Sequence, residues 1–423
     1  MASSETTRGE GASGPLKGGR PSRRGLTVEF KQQSPEEFVV EEIAEDGTIF
    51  EVGKTYALGK PEDQTLERDY FTHFVLEKRE WNTLQALGAL AARLHVKPSR
   101  FDHAGTKDRN AITTQLCSAF AVAPERILPA NIKDVKINGA WKARKKVRLG
   151  DLAGNRFTIT LTERNCGAKI SGEQIVERAR QLNYTIPNLF GSQRFGSQRN
   201  NTDLVGLAML KGDFEAAVRE YLHGSAAEES DSVREARLRL QKEGDFLKAL
   251  EYFPEHLRYE RTLLRYLAEK PTDFAGALRL LPRTLQLMFV HAFQSRLFNE
   301  IVGEKAEWYC LADDAGFPDV ETVRKIDGEG EKLIEKSKAF PVGRIIGYEG
   351  ELSEAEKQKL EEKGLSQESF RMKSMPELSS KGTFRALRVP LKDLEVLEEN
   401  PLVVRFCLPS GSYATVAIAA LIS

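Results

Sequence analysis

The apolar pattern of the chain changes twice along its length, and this limits the folds that it can adopt. Short runs of β-branched and aromatic residues predict strands near the start of the chain, at 26–30, 38–43, 70–76, 135–137 and 156–161. Residues 203–304 are almost entirely typical of helices. Strand character returns only at 402–408 and 412–418. We therefore expect an α+β fold, in which a β-rich domain with a mixed or antiparallel sheet is interrupted by a largely helical insertion.

Capping signals predict several helix boundaries within this pattern. Thr83 begins a run of apolar residues at helical spacing. Thr284 is the predicted N-cap of a long helix, because its hydroxyl can accept from a free backbone N–H. Ser353 and Glu356 have the spacing of a capping box, and Gly364 is the expected end of the helix that they begin.

The composition excludes several classes of protein. Lys and Arg together number 62, as do Asp and Glu, so a nucleic-acid site must be a local basic patch. The four cysteines are far apart and form no C-x-x-C, which argues against a zinc site or disulfide framework and favours a reducing cytoplasm. No apolar run approaches the ~20 residues that a membrane span needs. Residues 1–25 contain almost no apolar residues and should form a disordered tail.

The densest polar cluster is AGTKDRNAITTQ, at 104–115. Asp108 stands between Lys107 and Arg109, and these cations favour the ionised carboxylate that a nucleophile must be. Gly105 permits a close approach of the backbone. From the residues alone, the alternative is a solvated or capping aspartate, which is the more common role of an aspartate in a charged turn.

A second cluster, PNLFGSQRFG at 187–196, combines aromatic, amide and basic side chains in ten residues. Phe190 could stack on a base, Asn188 could read its edge, and Arg194 could hold a phosphate, which are the contacts that recognise a single nucleotide. The alternative is a loop that is anchored in the core by Phe190 and Phe195.

A third cluster, KARKKVR at 142–148, contains five basic residues and no acid. Basic and apolar residues alternate at its end, toward Val147 and Leu149. The cluster could therefore be an exposed strand that presents cations such as Lys145 to an RNA backbone. A solvated face is the alternative.

The first two clusters, with four further segments, resemble motifs of the TruD family of tRNA pseudouridine synthases. AGTKDRNAITTQ resembles the signature in which an aspartate follows Gly-x-Lys, and NLFGSQRFG resembles the motif Asn-x-Phe-Gly-x-Gln-Arg-Phe-Gly. The other matching segments are VRLGDLAGNRFTITL (147–161), SPEEFVVEEI (34–43), QSRLFNEIV (294–302) and LPSGSYATV (408–416). The six segments occur in the family's order between about residues 28 and 417, so the resemblance is specific.

The resemblance implies roles for individual residues. Asp108 stands at the position of the family's catalytic aspartate, and Asn188 and Phe190 stand at its active-site Asn and Phe. Tyr413 stands where many members carry Phe in Gly-Ser-Phe-Ala-Thr, and would stack on the target base. Lys31 is the candidate for a lysine that lines the site in some members.

The resemblance also implies the organisation and activity of the protein. Residues 26–217 and 386–423 would form the catalytic pseudouridine synthase domain, and 218–385 the family's variable insertion domain. The protein would act as a cytoplasmic monomer that isomerises one uridine of tRNA, expected in the D arm at position 13. The reaction imports no group and oxidises nothing, so no metal or other cofactor is expected. The target base would leave its stack to reach Asp108.

Two other functional classes compete with this interpretation. A non-catalytic RNA-binding protein or RNA chaperone could have the same fold, but it has no use for a carboxylate such as Asp108 facing a polyanion. A metal-dependent RNA hydrolase would need clustered Asp, Glu or His ligands, whereas the six histidines are dispersed.

Overall fold

The computed structural model describes residues 30, 32, 34–196, 199–224, 229–303 and 306–423. The predicted disordered tail at 1–25 and the candidate site residue Lys31 lie outside these residues. The predicted strand at 26–30 also lies outside them, except for Phe30, which is not in a strand.

The described residues form fourteen strands and fifteen α-helices. The strands are β1 (Phe38–Ile43), β2 (Phe71–Arg79), β3 (Phe101–His103), β4 (Ile112–Phe120), β5 (Val135–Ala143), β6 (Gly154–Leu161), β7 (Thr185–Pro187), β8 (Trp308–Ala312), β9 (Pro318–Lys325), β10 (Ala339–Ile345), β11 (Thr383–Ala386), β12 (Arg388–Pro390), β13 (Lys392–Glu399) and β14 (Leu402–Pro409). The helices are α1 (Pro61–Gln64), α2 (Thr83–Arg93), α3 (Pro124–Ile127), α4 (Glu163–Cys166), α5 (Gly172–Gln181), α6 (Thr202–Leu210), α7 (Phe214–His223), α8 (Asp231–Glu243), α9 (Phe246–Tyr252), α10 (Arg258–Glu269), α11 (Phe274–Arg279), α12 (Arg283–Ile301), α13 (Gly328–Glu335), α14 (Glu354–Glu362) and α15 (Ala414–Ile422).

The largest sheet has eight strands in the order β13-β14-β6-β1-β4-β2-β5, and β3 pairs with β4 beside this path. Strands β1 and β4 run parallel, with Val39 opposite Ile112. The other neighbouring strands of this sheet run antiparallel. The sheet is therefore mixed, and the predicted α+β class is confirmed.

One face of the sheet is apolar at its centre because side chains two residues apart on a strand share a face. Phe38 and Val40 on β1 lie opposite Ile159 and Phe157 on β6, and all four side chains are buried. They belong to a core that also contains apolar residues of α5 and α15, such as Ile175. Packing against these helices fixes which face of β1 and β6 is covered.

A second core is built mainly from helices, as predicted for 203–304. It joins residues of α6 to α12, such as Val205, Leu240 and Phe293, to Phe370 and Leu378 further along the chain. A four-stranded sheet in the order β11-β10-β8-β9 follows these helices. The predicted boundary between 217 and 218 lies inside α7, and that between 385 and 386 lies inside β11. The division into a catalytic and an insertion domain stays a prediction.

The prediction that strand character returns only at 402–408 and 412–418 was wrong in two respects. Residues 308–399 contain six strands, β8 to β13. Residues 414–418 begin helix α15, while β14 confirms the strand at 402–408. All residues from Ala414 to Leu421 except Thr415 are apolar and buried, so this helix is covered on every side. A helix that is covered all round shows no amphipathic period, so its sequence resembled a buried strand.

Two local predictions also need correction. Helix α12 begins at Arg283 with Pro282 as its N-cap, two residues before the predicted cap Thr284. Proline suits this end because its missing N–H would have no partner inside the helix. The basic cluster at 142–148 is not an exposed strand, since β5 ends at Ala143 and the next residues form a loop.

Other capping predictions are confirmed. Helix α2 begins at Thr83, and the Asn82 side chain accepts a hydrogen bond from the backbone N–H of Gln85. Ser353 and Glu356 form the reciprocal capping box of α14. Gly364 follows this helix with a φ of +69°, a conformation that glycine adopts without strain.

The close contact of α6 with α12 generates a stability prediction. A Cβ at Gly206 would lie 2.0 Å from the carbonyl oxygen of Phe289, so Gly206→Ala must push the two helices apart. We expect the free energy of unfolding to fall by about 1–3 kcal/mol, although alanine favours helix formation. Gly88 on α2 has no atom within 4 Å of an added Cβ, so Gly88→Ala should raise stability by about 0.5–1 kcal/mol. Chemical denaturation of both variants measures these changes, and stabilisation by Gly206→Ala would contradict the described contact.

Candidate active site

An open cleft with a volume of about 520 Å³ lies over the apolar face of β1 and β6. Phe38, Val40, Asn155 and Phe157 line it from these two strands. The remaining lining residues come from loops, from a short 3-10 helix at Ser192–Phe195, and from α12 and α15: 104–108, Leu149, Gly150, Leu152, Gln193, Arg194, Met288 and 410–415. Segments that are far apart in the sequence therefore meet at one cavity, and five of the six family-like motifs contribute residues to it.

The loop between β3 and β4 presents Asp108 to this cleft. Its backbone is tied down by the Lys107 N–H, which donates to Thr83 Oγ1 at 2.9 Å. Thr83 Oγ1 in turn donates to Gln115 Oε1 at 2.8 Å, and Gln115 Nε2 donates to the carbonyl of Gly105 at 2.9 Å. Lys107 is buried while Asp108 is exposed. This alternation directs the lysine into the protein and leaves the carboxylate accessible.

A buried ion pair holds Lys107 beneath the loop. Its Nζ lies 2.5 Å from Glu42 Oε2, and the two side chains are only 5% and 1% exposed. The other Glu42 oxygen accepts from the backbone N–H of Leu116 at 2.9 Å. Burial raises the pKa of the Glu42 carboxyl, and the charge of Lys107 acts in the opposite direction. The pair is held by several hydrogen bonds, as a buried charge requires.

A second buried cation, Lys78 on β2, also lies beneath the loop. Its Nζ donates to the backbone carbonyls of Trp81 at 2.6 Å, Asp108 at 2.8 Å and Lys107 at 3.3 Å, and the residue is 1% exposed. Burial lowers the pKa of Lys78 to about 8, while the charge of Asp108 raises it. Lys78 therefore carries its proton at neutral pH and fixes the backbone at Asp108.

The protein around Asp108 acts on its charge in two opposing ways. Desolvation is the larger effect and raises the pKa of the Asp108 carboxyl above its usual range, although its side chain is open to the cleft. The charge of Lys78, a hydrogen bond from Gln193 and the charge of Lys107 lower this pKa. A carboxylate in this setting is poorly hydrated but remains favoured by nearby cations, which suits an acid, a base or a nucleophile.

Aromatic and cationic side chains form the wall opposite this loop. Tyr413, at the N-cap of α15, lines the cleft, and the Phe190 ring lies 6.1 Å from it in an edge-on arrangement. Phe190 itself packs against the guanidinium of Arg385, at 4.1 Å, and against the ring of Phe298, at 5.6 Å. Burial raises the pKa of Tyr413, and Arg194 and Arg385 counter this shift. Tyr413 is therefore protonated at neutral pH.

Arg385 on β11 joins the segment around Asn188 to the loop before Tyr413. Its Nε donates to the Asn188 carbonyl at 2.9 Å, and its Nη2 donates to Asn188 Oδ1 at 2.7 Å and to the Gly411 carbonyl at 2.9 Å. Asn188 Nδ2 donates to the carbonyl of Ala386 at 3.0 Å, and its Oδ1 also accepts from Ser412 Oγ at 3.2 Å. These contacts direct the Asn188 side chain toward Arg385 and Ser412.

Asn155 on β6 offers an acceptor that the protein leaves free. Its Oδ1 is buried and has no hydrogen-bond partner among the described residues. Because Asn155 lines the cleft, a bound molecule with an N–H or O–H group could satisfy this oxygen.

Comparison with known proteins identifies the family. The family model described as tRNA pseudouridine synthase D (TruD) matches residues 22–420. The chain belongs to the TruD family. Pseudouridine synthases of this family are isomerases, so the protein is an enzyme of that class.

Relatives and a solved structure agree with this assignment. A Methanosarcina barkeri protein named "Probable tRNA pseudouridine synthase D" is 35% identical over 378 residues, which cover 82% of this chain and 86% of the relative. A Methanococcus maripaludis (strain C5) protein with the same name is 36% identical, and the match covers 90% of this chain and 92% of the relative. A crystal structure of the Methanosarcina mazei protein of that name has a TM-score of 0.70 and 32% identity, and covers 94% of both chains.

The cleft brings together some of the predicted TruD-family site residues but not all. Asp108, Arg194 and Tyr413 line it, and Arg194 Nε also donates to Ser295 Oγ at 3.0 Å. Asn188 and Phe190 lie behind Tyr413 and are not among the lining residues. Lys145 lies in a separate surface depression, where its carbonyl oxygen is 2.7 Å from His73 Nε2.

Several residues that shape the site were missed from the sequence. Lys78 gave no clear signal, because it stands between the charged residues Glu77 and Arg79 at the end of β2. Glu42 and Asn155 stand in segments that resemble the TruD family, but nothing in the sequence separates them from their neighbours. Arg385 lies in a stretch with no motif, and only the fold brings it to Asn188.

Two features are absent from the described residues. No helix there is long and apolar enough to cross a membrane. Nor does that part of the chain contain a group of three or more His, Cys, Asp and Glu side chains that could hold a metal ion.

The contacts of Arg385 generate a second stability prediction. Arg385→Met removes the donors to Asn188 and Gly411 and leaves their oxygens without these bonds. The free energy of unfolding should fall by about 1–3 kcal/mol. Arg180→Met is the control, because Arg180 forms only an exposed pair with Glu177, worth about 0.5 kcal/mol or less. Urea denaturation compares the two variants. Equal midpoint shifts would mean that Arg385 does not hold the cleft together.

Proposed function

We propose that this protein converts one uridine of tRNA to pseudouridine, with Asp108 as the catalytic carboxylate. We also propose that the target lies in the D arm, at position 13. The observation that carries the proposal is the position of Asp108, whose carboxylate opens into a cleft of nucleotide size while buried cations hold its backbone. A protein that only binds RNA has no use for a carboxylate in this position.

The reaction needs a charged group beside the ribose but no imported atoms. The bond between C1′ of the ribose and N1 of uracil breaks, and C1′ then bonds to C5 of the turned base. C5 gives up its proton, N1 gains one, and nothing is oxidised. Asp108 acts either as a nucleophile or as the base that starts formation of a glycal. Both roles require its ionised form, which Lys78 and Lys107 favour.

The cleft offers suitable contacts for a uracil that has left its stack. The Tyr413 ring provides a surface for stacking, and Phe190 supports that ring from behind. The free Oδ1 of Asn155 is an acceptor for the N3–H of uracil. Asn188 then acts indirectly, because its contacts with Arg385 and Ser412 position the loop that carries Tyr413.

Basic side chains in and around the cleft would bind the RNA backbone. Arg194 lines the cleft and would contact a phosphate next to the target. Lys145 is exposed outside the cleft and would contact the backbone further away. We also propose that 26–217 and 386–423 act as the catalytic domain and 218–385 as an insertion. Met288 and Arg385 would then be contributions of the insertion to the site.

The first test is Asp108→Asn, which keeps the size of the side chain but removes its charge. Pseudouridine formation on a tRNA transcript should be lost, while the affinity for tRNA stays nearly unchanged. Asp314→Asn, at an exposed aspartate, is the control and should keep full activity. Nucleotide-resolution mapping of pseudouridine measures the product and its position. Turnover by Asp108→Asn above a few per cent of wild type would remove Asp108 from the catalytic role.

The second test separates the ring of Tyr413 from its hydroxyl. Tyr413→Phe should keep turnover near the wild-type rate, because stacking needs only the ring. Tyr413→Ala should lose stacking worth ~1–3 kcal/mol and thus roughly one to two decades of rate, if the contact is made in the transition state. Melting curves control for unfolding of either variant. A folded but inactive Tyr413→Phe would show that the hydroxyl, not the ring, is required.

A further inference from the structure

A leucine is held out into solvent at the rim of the cleft. Leu149 is 80% exposed, the highest exposure of any large apolar side chain among the described residues, and it lines the same cleft as Asp108. An exposed leucine alone is common on protein surfaces. Its position beside the Asp108 loop and the way it is held distinguish this one.

The turn that carries Leu149 is fixed on both sides. The N–H of Asp151 donates to the carbonyl of Arg148 at 3.1 Å, and Asp151 Oδ2 accepts from the Arg148 N–H at 2.7 Å. Gly150 has a φ of +100°, as a tight turn with glycine in its third position requires. Val147 and Leu152, on either side, are buried. Leu149 therefore has a defined direction.

The same turn is bonded to the loop that carries Asp108. The N–H of Gly150 donates to the carbonyl of Ala104 at 2.8 Å, and Ala104 packs in one small core with Val147 and Leu152. Arg148 and Lys146 beside the turn are exposed cations, and Lys146 pairs only loosely with Asp102, at 3.5 Å. The rim thus combines an apolar tip with positive charge, which fits a stacked, negatively charged polymer.

We propose that Leu149 inserts into the RNA base stack beside the target uridine and fills the space that the flipped base leaves. Apolar side chains of this size serve as wedges between bases, and a filled gap prevents the base from returning to its stack. Arg148 and Lys146 hold the flanking phosphates. The inference rests on the proposed function and identifies how the enzyme obtains an unstacked uridine.

The test compares a stacked with an unstacked substrate. Leu149→Ala should lower kcat/KM on a folded tRNA transcript by roughly tenfold or more, because no side chain then fills the space that the flipped uridine leaves in the base stack. On a short single-stranded RNA with the same target sequence, its rate should equal that of the wild type. Leu149→Met should restore activity on tRNA. Leu247→Ala, on α9 and 66% exposed, is the matched control and should change neither rate.

A fluorescence measurement tests the step directly, even if the short RNA is a poor substrate. 2-Aminopurine next to the target uridine in tRNA should brighten when wild-type protein binds, since it loses a stacking partner. Leu149→Ala should bind the same tRNA with little brightening. An equal rise in fluorescence with wild type and Leu149→Ala would contradict the proposed insertion of Leu149. Equal losses of the Leu149→Ala rate on tRNA and on the short RNA would contradict it as well. Absence of pseudouridine with wild-type protein would instead overturn the proposed function.

Discussion

The site depends on two ammonium groups buried beneath one loop. Moving such an ion out of water costs on the order of several kcal/mol, which must be offset by hydrogen bonds and opposite charge. Lys107 is compensated by Glu42, and Lys78 by three backbone carbonyls, one of them that of Asp108. Neither lysine can move without leaving these groups unpaired. The loop is therefore held rigidly, with Lys107 buried and Asp108 exposed at the cleft.

The remaining walls of the cleft depend on contacts between distant segments. Strands β1 and β6 give it an apolar floor, and the turn at Leu149 is bonded to the Asp108 loop through Gly150 and Ala104. Arg385, from β11, joins the loop before Tyr413 to the segment at Asn188. Because each wall is tied to another, the relative positions of carboxylate, aromatic ring and exposed leucine are set by the whole fold.

The sequence predicted the parts of the molecule that local patterns control. The β1 strand, the start of α2 and the capping box of α14 follow from periodicity and side-chain hydrogen bonds within a few residues. Helix α15 was taken for a strand because burial on every side removes the amphipathic period. Asp108 and Tyr413 could be named from motifs, but Lys78 and Arg385 could not, because their partners are brought to them only by the fold.

The most direct measurement is the pH dependence of single-turnover pseudouridine formation by wild-type protein and Lys78→Gln. Glutamine keeps a neutral donor for the loop carbonyls but removes the positive charge. That charge lowers the pKa of Asp108, so its loss should raise this pKa and move the acidic limb of the rate profile to higher pH. Thermal melting confirms that both proteins are folded over the range. Superimposable acidic limbs would contradict the account in which buried cations keep Asp108 ionised for catalysis.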